Sequence, residues 1–157
     1  MPEILIITLK LLLAIFLGWL IGLERELSGK EAGTRTLALV TFGAALFTVI
    51  AVHGFRDNPL VDPTRIIGQI LVGIGFIGAG LIVFDKHRIE GLTTAASLWV
   101  MSAIGITVGI GWYLISLIST FFIFILLFVM RHFELRYLKK DNLWSLLEKK
   151  QKKNWWL

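Results

Sequence analysis

Six charged side chains crowd into the stretch Glu24-Arg25-Glu26-Leu27-Ser28-Gly29-Lys30-Glu31-Ala32-Gly33-Thr34-Arg35. Three are acidic and three basic, so the segment is neutral although densely charged. Carboxylates and cations at this density pair with one another, or they gather round an ion. Oxygen-rich sets suit hard cations such as Mg2+. Three readings stand side by side: a solvated loop with weak surface pairs, a structural network packed on neighbouring elements, and an ion or partner site. The candidate cluster is Glu24, Arg25, Glu26, Lys30, Glu31 and Arg35.

A second polar group is Asp62-Pro63-Thr64-Arg65, with Gln69 one turn further on. Aspartate before proline suits a helix start. Capping accounts for Asp62 and Pro63 but not for Arg65 or Gln69, which read as an anchor or as a functional polar site. Thr93, Thr94 and Ser97 open another apolar run, where they cap a helix or line a polar path. His53, His87 and His132 are scattered, without the i, i+4 spacing of a metal pair. No nucleophile–base pattern occurs, so the chain is expected not to be an enzyme. With no cysteine, disulfides and thiolate metal sites are excluded. The metal ligands, if any, are unknown from sequence.

Gly73-Ile74-Gly75-Phe76-Ile77-Gly78-Ala79-Gly80 matches the dinucleotide fingerprint in letters only. That fingerprint needs a strand before it and an acidic residue about 20 positions after it. Here the glycines lie inside an apolar run. Small residues in such a run let helix backbones approach closely, or let the helix break and line a site. Gly18 and Gly22, and Gly105 and Gly109, are spaced for the same close approach. Close-packing glycines also suggest a homo-oligomer, most simply a dimer.

These groups must be held by membrane spans. The apolar fraction is 56% and the mean hydropathy is +0.78, more than a water-soluble domain of one core can bury. A span needs about 20 apolar residues. Ile4–Leu23, residues 36–55 and Ile66–Phe84 each supply one. Lys10 interrupts the first and must snorkel or face a partner helix. Gly91 to Met130 is uncharged throughout. As one helix it would run about 60 Å, twice the hydrocarbon thickness. It should divide at Gly109-Ile110-Gly111-Trp112. The expected fold is therefore an all-α membrane protein with five transmembrane helices.

Thirteen of the 16 basic residues fall on one side if the C-terminus is cytoplasmic. The positive-inside rule then places the N-terminus outside. In this orientation the charged 24–35 segment should pack against the start of the fourth span, with Asp62 and Arg65 on the opposite face. Residues 1–130 form the transmembrane domain, and their charges sum to zero. Residues 131–157 carry the whole net charge of +5. Leu143, Trp144, Leu146 and Leu147 share a helical face, followed by four lysines and Trp155-Trp156. This tail reads as a basic amphipathic helix on anionic lipid headgroups. A basic end beside an apolar run favours that surface over nucleic acid, which is not expected as a partner. Met1-Pro2-Glu3 does not read as the start of a cleavable signal peptide.

Taken in order, Gly18 to Glu26, Lys30 to Thr36, Asp62 to Ile66, Gly73 to Gly80 and Gly91-Leu92-Thr93-Thr94-Ala95-Ala96-Ser97-Leu98-Trp99 resemble the MgtC/SapB family of bacterial inner-membrane proteins. The resemblance spans roughly residues 15–111. It implies five spans in the bacterial inner membrane. It also implies a role in Mg2+ and ion homeostasis, because family members are associated with growth at low Mg2+ and with virulence. Some are associated with restraint of the F-type ATP synthase, others with Mg2+ transport. The expected function is thus a non-enzymatic regulator of another membrane machine. The alternative is a transporter or channel for Mg2+ or a monovalent cation or proton. No cofactor is expected beyond a possible Mg2+. Virulence members carry a soluble ACT-like domain after the last span. This sequence has 27 residues after Met130, so roles that need that domain are not expected to carry over.

Overall fold

The computed structural model describes residues 2–56, 58, 60–85, 88–133 and 136. Five helices carry the chain: α1 (Pro2–Leu27), α2 (Thr34–His53), α3 (Pro63–Leu81), α4 (Leu92–Ile110) and α5 (Tyr113–Phe133). All five are long and apolar enough to cross a membrane. A short hairpin, β1 (Val83–Asp85) and β2 (Arg88–Glu90), joins α3 to α4. The tail helix expected over residues 143–156 lies outside the described residues. So does the greater part of the segment proposed as a separate tail, 131–157, although α5 runs on to Phe133.

Each helix starts and stops for a local reason. Asp62 accepts hydrogen bonds from the Thr64 backbone N–H (2.9 Å) and from Thr64 Oγ1 (2.7 Å), capping α3, and Pro63 follows. α1 and α4 end alike. Gly29 (φ 66) and Gly111 (φ 101) take the left-handed conformation. After α1, Gly29 N bonds Glu26 O and Lys30 N bonds Arg25 O; after α4, Gly111 N bonds Val108 O and Trp112 N bonds Thr107 O. This pair of bonds is the Schellman motif, which turns the chain sharply. The division expected at Gly109–Trp112 therefore occurs, with Gly111 as its pivot.

Two boundaries differ from expectation. The first charged segment is not all loop, since Glu24, Arg25 and Glu26 form the last turn of α1. Hydropathy falls there, but the helical hydrogen bonds continue. The third span stops at Leu81 rather than Phe84. Ile82 is extended (φ −87, ψ 111), and Val83 and Phe84 enter β1, pairing with Glu90 and Ile89. β-Branched and aromatic residues favour that conformation.

α4 is the central helix and touches all four others. Over its apolar window 56% is buried, against 11% for α3. The tightest contacts run through glycine. A Cβ on Gly18 would lie 2.6 Å from Leu37 O and 2.7 Å from Ala38 Cα; one on Gly22 would lie 2.5 Å from Thr34 Cα. From the other side, a Cβ on Gly105 would overlap Thr41 O, and one on Gly109 would come 2.5 Å from Thr48 Cβ. α2 is thus wedged between notched faces of α1 and α4. Leu17, Ile21, Leu37, Leu98, Met101 and Val108 fill the space around this contact.

The glycines of α3 behave differently. Gly78 meets Ala95 of α4 at 3.5 Å, whereas a Cβ on Gly73, Gly75 or Gly80 would meet nothing within 4 Å. α3 is continuous, not broken. A direct contrast follows. Gly105→Leu should destabilise the protein by about 1–3 kcal/mol or prevent folding, as over-packing does. Gly73→Ala should be neutral, or stabilising by about 0.5–1 kcal/mol through helix propensity. Unfolding of both variants in detergent, followed by circular dichroism, checks the pair.

Candidate functional site

The predicted meeting of the first charged segment with the start of α4 is present. Arg25, Gly29, Lys30 and Glu31 line one side of a polar pocket of about 350 Å³; Ile89, Glu90, Gly91, Leu92, Thr93 and Thr94 line the other. The floor is buried, with Arg25 and Thr94 each 4% exposed. Lys30, Glu31 and Glu90 are exposed at the rim. Gly91 makes the approach possible. Its φ is +81, and a Cβ there would collide with Leu81 O.

The six charges of the cluster divide by task. Glu26 Oε2 accepts from Thr34 N (3.1 Å) and Thr34 Oγ1 (2.6 Å). The N-cap of α2 is Gly33, which has no side chain to cap with, so Glu26 does that work from the preceding helix. Glu24 is buried. Its Oε1 accepts from Ser28 Oγ at 2.6 Å, while its Oε2 is buried and accepts no hydrogen bond. Arg25 lines the pocket. Arg35 is exposed and sits with Glu26, Lys30 and Glu31 round a second, shallow hollow of about 450 Å³. Arg35 is therefore not part of the packed group. Among the described residues no three His, Cys, Asp or Glu side chains gather to hold a metal ion.

Asp62, Arg65 and Gln69 do not converge. Asp62 is engaged as a cap, Arg65 is exposed, and Gln69 lines an apolar groove of about 560 Å³ between α2 and α3. The helix directions put α3's start at the end of the bundle away from the charged pocket. At that end His53 Nδ1 lies 3.4 Å from Glu3 Oε1. Ser97 Oγ donates to Thr93 O at 2.8 Å. His87 lies outside the described residues, and His132 stacks on Phe128.

Sequence reasoning did not find two long-range bonds. Lys10 is buried, and its Nζ donates to Gly109 O at 2.9 Å. Arg131 Nη2 donates to Leu27 O at 2.9 Å. Both carbonyls stand two residues before the left-handed glycine of a Schellman turn, at the negative end of a helix. Each cation comes from another helix and closes a helix end that has run out of backbone donors. The apolar setting of Lys10 was the one available signal; the sequence does not say which carbonyl it meets.

The sequence profile of the MgtC family matches residues 11–136. The chain belongs to the MgtC family. It is 38% identical to YhiD of Escherichia coli (strain K12) over 138 residues, 85% of this chain and 64% of that protein. It is 44% identical to MgtC of Salmonella typhimurium over 115 residues, 73% of this chain and 48% of that one. SrpB of Synechococcus elongatus is 37% identical over 127 residues, 74% of this chain and 70% of its own. The chain therefore spans less than two thirds of the length of YhiD and about half of MgtC. No solved structure matches it. Family and helices together make it a multi-pass membrane protein, and the bacterial inner membrane fits the family.

Two tests follow for this family member. Lys10→Met should cost about 1–3 kcal/mol, because it leaves the Gly109 carbonyl without its donor in an apolar setting; unfolding in mixed micelles measures it. The hydrogen bond from Thr64 Oγ1, and then that from Thr64 N, hold the Asp62 carboxyl below its ordinary 3.8. A depressed carboxylate contributes stability above its unfolded pKa and loses it as pH falls through the folded one. Thermal stability should therefore decline on acidification below pH 3.8 more steeply in the parent than in Asp62→Asn.

Proposed function

We propose that this protein serves Mg2+ and ion homeostasis as a regulator of another membrane machine, not as a conduit. The supporting observation is how little polar surface the spans leave open. Lys10 is committed to Gly109 O, and every buried hydroxyl of the spans but Thr94, at the charged end, donates to a carbonyl of its own helix or of the residue that starts it. The α1–α2–α4 core is closed at backbone contact. The described carboxylates do not assemble a cage for Mg2+, so no transport step is derived from them. The link to Mg2+ rests on the relatives. YhiD carries a name that marks it as a candidate magnesium transporter, and the family resemblance points to growth at low Mg2+.

A regulator needs a contact face within the membrane. α3 offers one: Val72 and Phe76 are exposed and Gly80 is open, and Gln69, exposed in the groove between α2 and α3, stands beside them. Lipid cannot hydrogen-bond a glutamine amide. A neighbouring helix can. That helix belongs to a second copy or to the regulated machine, for which the F-type ATP synthase is the first candidate. In this reading the charged end faces the cytoplasm, and the basic tail rests on anionic headgroups.

Reconstitution decides between regulator and conduit. Liposomes holding the full chain should pass Mg2+, K+, Na+ and H+ no faster than empty ones. Phe76→Ala and Gly80→Leu should abolish rescue of growth at low Mg2+ in a deletion strain while the variants still fold. Flux above the empty-liposome rate would replace the regulator with the transporter.

A further inference from the structure

Seven serine and threonine side chains are buried among the described residues. Six of them, Thr41, Thr48, Ser97, Ser102, Ser116 and Thr120, donate to a backbone carbonyl three or four residues earlier at 2.7–2.8 Å. Thr94 is the exception. It is 4% exposed, makes no such bond, and lines the pocket at the charged end. Its place in the first turn explains why. The residue four positions back is Glu90, at the end of β2, not in a helix. The Thr94 hydroxyl is not sealed in, as Glu24 Oε2 is, but opens onto the pocket, where it is left to bond whatever enters.

Its surroundings specify the ligand's charge. Arg25, also 4% exposed, lines the same floor. The first turn of α4 follows Gly91, which supplies no side-chain cap, so its leading N–H groups lack helical acceptors. Helix start, guanidinium and hydroxyl are all donors, and together they suit an oxyanion. Lys30 adds a cation at the rim, but Glu31 and Glu90 stand there too. Those carboxylates oppose a bare anion and favour one that brings its own positive charge. A volume of about 350 Å³ accommodates a phosphate with a short amine substituent.

We propose that this pocket binds a phosphate group, held on its floor by Arg25 and Thr94 and by the first turn of α4. The phosphate comes from a phospholipid headgroup or from free phosphate ion. The rim carboxylates favour the ethanolamine headgroup, whose ammonium they can pair. α1 ends and α4 begins a membrane span here, which brings headgroups within reach. The inference rests on the pocket's own donors and is independent of the regulator reading.

Calorimetric titration of the full chain in detergent tests it, with three ligands in separate arms: sodium phosphate, dihexanoyl phosphatidylethanolamine and dihexanoyl phosphatidylglycerol. The ethanolamine lipid should bind tightest. Thr94→Val should weaken binding by about ten-fold, the worth of one hydrogen bond to a charged group, without lowering the ligand-free melting temperature. Arg25→Lys should weaken it too; Thr94→Val keeps the test decisive if that variant fails to fold. Binding of free phosphate with no gain from either lipid supports the pocket and assigns the free ion as its source. Heat that is absent from all three arms, or an affinity unchanged in Thr94→Val, overturns the proposal.

Discussion

The architecture depends on how closely α2 can approach α1 and α4. In lipid there is no hydrophobic force between helices, because the surrounding tails are as apolar as leucine. Van der Waals contact must supply the attraction, and it rewards short distance. Gly18 and Gly22 cut one notch, Gly105 and Gly109 another, and α2 lies in both. Thr41 is where the notches meet: its Oγ1 faces Gly18 and its carbonyl faces Gly105. With that contact made, α4 becomes central, its first turn comes to the level of α1's last turn, and the charged pocket forms between them. α3 and α5 then pack from outside and keep most of their surface for lipid or for partners.

A second constraint is the treatment of polar atoms. A buried hydroxyl in a span bonds back to its own helix, so it needs no water and no neighbour. A helix end cannot do this. α1 and α4 solve the problem twice over, with a left-handed glycine that recovers two carbonyls and a borrowed cation that recovers another. Against this uniform practice, the bare Thr94 hydroxyl and the buried Glu24 Oε2 stand out as exceptions. Both lie at the same end of the bundle.

The spans were legible because a run of apolar residues has few other fates, and the turn after α4 was legible because Gly111 permits a backbone that leucine or isoleucine resists. The pairing of the first charged segment with Thr93 and Thr94 followed from counting crossings. The hairpin was not legible: three-residue strands are too short to carry a period. Nor could the glycines be sorted. The same small-residue spacing describes Gly105 and Gly109, pressed on α2, and the glycines of α3, of which Gly80 meets nothing and Gly73 opens on the groove beside α2. Composition shows that a close approach is possible; only the arrangement of neighbours shows which face uses it. Glu26 illustrates the limit from the other side. Its charge suggested an ion site, yet its partner is the uncapped start of the next helix.

The bond from Arg131 to Leu27 has a consequence for the pocket itself. It pins the end of the last helix to the turn that walls the pocket, so α5 becomes a handle on a site to which it contributes no lining residue. Most of α5 is open to whatever surrounds the bundle. A displacement of its last turn would pull on the Leu27 carbonyl, and through it on the wall formed by Gly29, Lys30 and Glu31, without altering a residue inside the pocket.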